Sequence, residues 1–249
     1  MKEATNTIKE NIKNLTSLWT TAGNAFNSHQ KLQNFEYSEI KNSEWPNRIW
    51  FNQYITQEII DQIKEKIAVS SSKITVPIWN ISNKKQDVIH DAILELNNFK
   101  VKFEQIGMSL KTSSLHNLSE NVKIKLVSND FEAKIWSQLF KNSFGYKISC
   151  ETIINTIKDI NYYIAYHNNT AIGTAATHIT NNIMGIHSVG IPPEMRRKGY
   201  AEQIMKLLIN TGVENKYELI TLQASNMGKN IYLKLGFKEE FLIKNYILQ

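Results

Sequence analysis

The residues with the greatest chemical potential lie between Ile186 and Ala201. There the apolar run Ile186-His187-Ser188-Val189-Gly190-Ile191 leads through Pro192-Pro193-Glu194-Met195 into Arg196-Arg197-Lys198-Gly199-Tyr200-Ala201. A strand that enters a basic, glycine-bearing turn with a helix directly behind it gathers unpaired backbone N–H groups and the positive end of a helix dipole at one point. That point suits a pyrophosphate. Gly199 lets a ligand approach the backbone closely, and Ala201 keeps the helix start uncrowded. Proton chemistry would fall to groups nearby. His187, two residues before Val189 on the strand, is the leading imidazole, while Glu194, His178 and the single cysteine, Cys150, are poorer candidates. One cysteine allows no internal disulfide, and no His/Cys/Asp cluster has metal-ligand spacing, so no metal is expected.

The elements that must position these groups follow from periodicity and turn chemistry. Residues 122–127 alternate as a strand, Asn129-Asp130 can cap a helix through 140, and a second helix covers 150–160. Residues 162–166 and 171–179 flank the turn His167-Asn168-Asn169-Thr170 as a hairpin. A strand at 183–191 precedes the basic turn. Ala201, Ile204, Met205 and Leu208 then mark one face of a helix. A strand at 217–223, a short helix at 227–235 stopped by Gly236, and a last β segment at 237–248 complete this half. The order calls for a mixed sheet with helices on both faces, an α/β protein.

The N-terminal half carries a helix at 7–21, extended stretches at 35–40 and 48–51, and a helix at 56–68. A strand at 74–79, a helix at 86–97 and a strand at 101–110 follow, and the polar run 111–120 is a linker. The expected division is therefore residues 1–115 and 120–249. Four of the five tryptophans, Trp19, Trp45, Trp50 and Trp79, lie in the first part, either as aromatic core or as the wall of a pocket for an aryl or cationic amine. The net charge of +6 is spread over both halves, densest at Arg196-Arg197-Lys198, which gives a nucleic-acid partner little support. Apolar runs are too short for a membrane helix and the acid-bearing start, Met1 to Asn6, lacks a secretion signal's apolar block, so a cytoplasmic protein is expected.

The pattern Arg196-x-x-Gly199-x-Ala201, preceded by Val189-x-Ile191-x-Pro193-Glu194, resembles the coenzyme A loop of the GCN5-related N-acetyltransferases (GNAT). A second block, running from Asn226 through Tyr232 to Gly236-Phe237, is similar to the Asn, Tyr and Gly-Phe that the family carries after the following helix. The resemblance covers residues 120–249 and implies the GNAT acyl-CoA N-acyltransferase fold; the strand–helix–strand order of the first half, ending in Phe103 to Met108, loosely echoes it, so residues 1–115 are expected to be a degenerate second copy in tandem. It also implies transfer of an acetyl group from acetyl-CoA to a primary amine acceptor by direct attack in a ternary complex.

The same resemblance assigns roles. The turn from Met195 through Arg196, Arg197, Lys198, Gly199 and Tyr200 to Ala201 would hold the pyrophosphate. Backbone groups of Val189 and Ile191 would pair with the pantetheine arm, and one N–H there would face the oxyanion. Tyr232 would protonate the departing thiolate. Asn226 would bond to the cofactor arm or cap the next helix. Some members place a glutamate on the central strand where this chain has Gly185, which leaves His187 or a water as the base. A non-catalytic acyl-CoA-binding or sensing module is the first alternative, a nucleic-acid-binding protein the second.

Overall fold

The computed structural model describes residues 2–51, 53–81, 85–118 and 121–249. Its first part runs α1 (Lys2–Asn24), β1 (Gln30–Lys31), β2 (Glu36–Ser38), β3 (Arg48–Trp50), α2 (Gln57–Ala68), β4 (Val76–Asn80), α3 (Lys85–Leu96) and β5 (Phe99–Lys111). The second runs β6 (Val122–Leu126), α4 (Asp130–Phe144), α5 (Cys150–Thr156), β7 (Ile160–His167), β8 (Thr170–Thr180) and β9 (Ile183–Gly190). A 3-10 turn at Pro193–Met195, then α6 (Tyr200–Glu214), β10 (Leu219–Ala224), α7 (Lys229–Lys234) and β11 (Lys238–Leu248) end the chain.

Local chemistry sets most boundaries. Thr56, Asn129 and Ser149 cap α2, α4 and α5, each side-chain oxygen accepting an N–H three residues on. α4 outlasts its expected end at 140 because Gly145, at φ 78°, supplies the left-handed stop. α5 is shorter than expected, since Ile160 already pairs with His178 and starts β7. Between β7 and β8, Asn168 and Asn169 both take positive φ, as a tight hairpin turn demands.

Eight strands form one mixed sheet in the order β4-β11-β5-β10-β9-β8-β7-β6, and β1-β2-β3 form a separate three-stranded sheet. β10 runs parallel to β9, whereas β5 pairs antiparallel with both β10 and β11. The polar run after residue 111 therefore connects two strands of the same sheet, and the segment before it supplies β5 to the middle of that sheet. One face carries α1, α4 and α5 over a core that includes Leu18, Trp19, Trp136, Phe140 and Ile243. On the other, α6 covers Met184, Ile186, Ile220 and Leu222, while α2 and α3 cover Val76, Ile78 and Tyr246. All five tryptophans belong to the first core, where Trp19 packs 5.5 Å from Trp50 and 6.0 Å from Trp79.

Candidate active site

The turn after β9 has the form its sequence implies. Arg197 and Gly199 take φ of 63° and 77°, and the first intrahelical bond of α6 runs from Gln203 N–H to Gly199 O. The N–H groups of Tyr200, Ala201 and Glu202 thus point ahead of the helix. A Cβ built on Gly199 meets nothing within 4 Å, so the space before the turn is open. Arg197 and Lys198 are exposed; Met195, Tyr200 and Ala201 are half-buried. Arg196 is spoken for: its Nε donates to Ile191 O at 3.0 Å and its Nη2 to Ser143 O at 2.9 Å, tying the turn to the end of α4. Tyr200 is anchored too, its hydroxyl 3.2 Å from His167 Nδ1.

β9 and β10 part as they approach this turn. Their parallel pairing spans only Ile183–Gly185 against Leu219–Thr221, although both strands continue. On its other side β9 pairs with β8 at His187↔Ala176 and again at Gly190↔Thr174, so Ser188 and Val189 together oppose Ala175. This is a bulge. Ser188 takes φ 56°, and Thr174 Oγ1 donates to Ser188 O at 2.9 Å. The bulge breaks the alternation along β9, so His187 does not share a face with Val189 and Ile191 as simple strand parity implies. His187 bonds to α1, while Val189 and Ile191 pack toward α6. Backbone groups of the bulge are left facing the gap between the strands.

A cleft of about 1040 Å³ opens at this gap, bordered by Ile186 to Val189, Leu222, Gln223 and Tyr232 on the sheet side. His187 borders it with an amide oxygen beside each ring nitrogen, and a neutral ring donates to one of the two. Nδ1 is 3.1 Å from Gln223 Oε1 and Nε2 is 3.3 Å from Asn14 Oδ1. Burial, reinforced by His178, holds its pKa down at about 3, so the near-neutral imidazole that the sequence suggests is instead a neutral one. Gln223 Nε2 donates to Asn11 Oδ1 at 2.8 Å, and Asn14 Nδ2 donates to His178 O and Thr180 Oγ1. Gly185 makes this arrangement possible: a Cβ there lies 1.9 Å from Asn14 Oδ1 and 2.4 Å from His187 Nε2. Where some family members hold a glutamate, α1 inserts an amide.

Tyr232 borders the same cleft from α7, its ring 6.0 Å from Phe237, and burial pushes its phenol up to about 12. It is a proton donor across the neutral range. Asn226 is exposed and does not cap α7; the cap residue is Gly228, and Ser225 accepts the Gly228 N–H through its hydroxyl. The Cys150 thiol is raised by burial and donates to Asp130 O, which leaves it protonated rather than nucleophilic. Among the described residues no group of three metal-binding side chains exists, and no helix is long and apolar enough to cross a membrane.

Residues 158–239, from the start of β7 to the start of β11, match the acetyltransferase (GNAT) domain family. The chain carries a GNAT domain. Solved structures of similar fold extend over nearly the whole chain. A GCN5-related N-acetyltransferase from Kribbella flavida is 10% identical, with a TM-score of 0.68 over 91% of this chain and 93% of that one. A functionally unknown conserved protein from Staphylococcus epidermidis is 17% identical, with a TM-score of 0.63 over 88% and 92%. A tandem GNAT protein from the clavulanic acid biosynthesis pathway is 10% identical, with a TM-score of 0.56 over 86% and 77%. No curated protein matches the chain.

The motifs that mark the GNAT domain leave out half of the cleft wall. Opposite β9 the cleft is lined by α1 through Leu15, Leu18 and Trp19, and by the loop and strand from Lys41 to Arg48. Arg48 is the notable member. Its guanidinium lies 4.7 Å from the Trp19 ring centroid and Nη1 donates to Asn245 Oδ1 at 3.1 Å. The sequence around it, Ser43-Glu44-Trp45-Pro46-Asn47-Arg48, reads as a fixed turn and carries no chemistry by itself. Asn47 locks that turn by accepting from Ile40 N–H and donating to Ser43 O.

Proposed function

We propose that this protein is an N-acetyltransferase that moves an acetyl group from acetyl-CoA to a primary amine by direct attack in a ternary complex. The observation that carries this is the parting of β9 from β10 beside a bulge at Ser188–Val189, directly ahead of the open turn at Gly199. Bound acetyl-CoA would supply a thioester-activated acetyl group. The first-turn N–H groups of α6, with Arg197 and Lys198, hold the pyrophosphate, and Met195 closes the near side. Backbone groups of Val189 and Ile191 bond the pantetheine amides as an added strand would, and a bulge N–H donates to the carbonyl oxygen as it gains charge.

The acceptor enters as ammonium and loses one proton to water before its nitrogen attacks. His187, held neutral by burial and with amide oxygens beside both ring nitrogens, does not store that proton. As the C–N bond forms and the C–S bond breaks, Tyr232 gives its phenolic proton to the sulfur and regains one from the acylated nitrogen. One proton is released overall. The protonated Cys150 thiol supports this route over an acyl-enzyme. Asn226, exposed beside Ser225, remains available to the cofactor arm.

We assign residues 1–115 to the acceptor side, with α1 and residues 41–48 forming the outer wall, and residues 120–249 to the donor side. Acetyl-CoA should raise the melting temperature, and an acceptor-dependent release of free thiol should follow. The absence of a carboxylate at Gly185 favours one second reading, an acyl-CoA-binding module; stabilisation by acetyl-CoA without thiol release from any amine would establish it.

A further inference from the structure

Arg48 has fewer partners than a guanidinium in its position requires. Among the described residues its one hydrogen bond is from Nη1 to the neutral Asn245 amide, Nε is buried without an acceptor, and no carboxylate lies within ion-pair distance. Burial without a counter-ion lowers its pKa to about 10, yet a guanidinium at that value is still charged at neutral pH. Arg48 is half-buried on the wall of the cleft, and leaving a partly desolvated cation unpaired is costly, so such a group is either compensated by solvent or reserved for an anion that arrives from outside.

Its surroundings favour an arriving anion. Lys41, Lys73, Lys102 and Lys147 border the same cleft, against only Glu44 and Glu104. One of those two acids is already engaged, since Glu44 Oε2 accepts the Lys147 backbone N–H at 2.7 Å. The coenzyme phosphates do not explain this excess: none of the basic residues of the Arg196–Lys198 turn borders the cleft. The positive residues come from several segments around the cleft: Lys41 and Arg48 before α2, Lys73 before β4, Lys102 on β5 and Lys147 after α4. A polar track also joins Arg48 to the reacting end. Arg48 donates to Asn245, Asn245 Nδ2 donates to Gln105 Oε1, Gln105 Nε2 donates to Gln223 O, and the Gln223 side chain meets His187. Aromatic rings of Trp45, Phe144 and Tyr146 flank the space between.

We infer that the acceptor is an amine that also bears a carboxylate, an amino acid or a close relative, and that Arg48 is the residue that pairs with that carboxylate. The inference rests on the acetyltransferase reading for the amine but not for the carboxylate. The guanidinium of Arg48, 4.7 Å over the Trp19 ring, keeps Nη2 and a second Nη1 hydrogen for a carboxylate, and a carboxylate bound there directs the amine toward His187. The aromatic flank receives the body of the side chain.

Calorimetric titration of the coenzyme-A-loaded protein with L-phenylalanine, L-leucine, L-lysine and L-glutamate, each beside its α-carboxamide, tests this directly. At least one free acid should bind 10-fold or more tightly than its amide. Arg48→Gln should abolish that difference, and Arg48→Lys should keep part of it. Equal binding of acid and amide throughout, or preference for O-phosphoethanolamine over every carboxylate, overturns the inference, and this comparison needs only the unaltered protein. Thiol release is the separate readout. Arg48-dependent binding without turnover would refute the transferase but leave the carboxylate site standing; turnover of amides as well as acids would do the reverse.

Discussion

Tyr232 and His187 both border the cleft, and burial moves their proton affinities in opposite directions. A phenol raised to about 12 stays protonated across the neutral range and is a weaker acid than a thiol, so it passes its proton to the departing sulfur only as it regains one from the nitrogen being acylated. Tyr232→Phe should lower kcat by about 10²-fold with little change in KM or in stabilisation by acetyl-CoA. An unchanged rate would reduce Tyr232 to a packing partner of Phe237. For His187 the sign is opposite. Its folded pKa, near 3, lies below the ordinary 6.5, so the unfolded chain takes up the proton first as pH falls. The stability contributed by its burial is complete above about pH 6.5 and is lost as pH drops from there toward 3. His178, also lowered by burial, adds to the same trend. Denaturant titrations should show stability falling by up to about 1.4 kcal/mol per pH unit for each histidine below pH 6.5. A profile flat between pH 7 and 4 would contradict the described burial. In kinetics, the pH dependence should follow the acceptor's amine, with no inflection near 6.5 that His187→Ala removes.

At the level of elements, α1 and β9 are fitted to each other through Gly185. The amide of Asn14 occupies the volume that any side chain at 185 would need, and it meets His187 there. Gly185→Ala should cost about 1–3 kcal/mol by overpacking, and Asn14→Ala should recover part of that loss in the double variant. Additive effects in a double-mutant cycle would mean that the two positions are not coupled. The basic turn into α6 was legible from sequence because each part is local: a glycine at positive φ, a helix start, an apolar stripe at helical spacing. The bulge at Ser188 was not, because it depends on how β9 pairs with β8 and on the Thr174 hydroxyl that holds it. Strand alternation read through that bulge puts His187 on the same side as Val189, and the pairing separates them. The cap of α7 shows the same limit at smaller scale: the cap position falls on Gly228, with no side-chain cap bond, and not on Asn226.

Across the whole molecule, β5 ties the two parts of the chain together. It lies between β10 and β11, so residues 120–249 alone would expose long unpaired edges on both strands. That fragment should aggregate or lack a cooperative unfolding transition, whereas the full chain should unfold cooperatively; circular dichroism melts of the two compare them. A fragment that melts cooperatively and is stabilised by acetyl-CoA would show β5 to be dispensable. The shared sheet also explains why fold similarity to GCN5-related structures spans about nine-tenths of the chain, while the family's sequence pattern is confined to residues 158–239.

Sequence by itself determined the β9–α6 side of the cleft: the alternating strands, the amphipathic α6, the glycine turn and the Tyr232 block all rest on interactions between near neighbours. The placement of α1, Asn14 and the Trp45–Arg48 turn across from them was decided only by tertiary structure. Those contacts join residues far apart in the chain, as in the bond from Arg48 to Asn245 or from Asn14 to His178. Periodicity is blind to such pairs, because it records which face of an element is apolar and not which distant segment will cover it. The wall of the cleft that we assign to the acceptor is built almost wholly from these long-range pairs, so its chemistry appears only once the chain is folded.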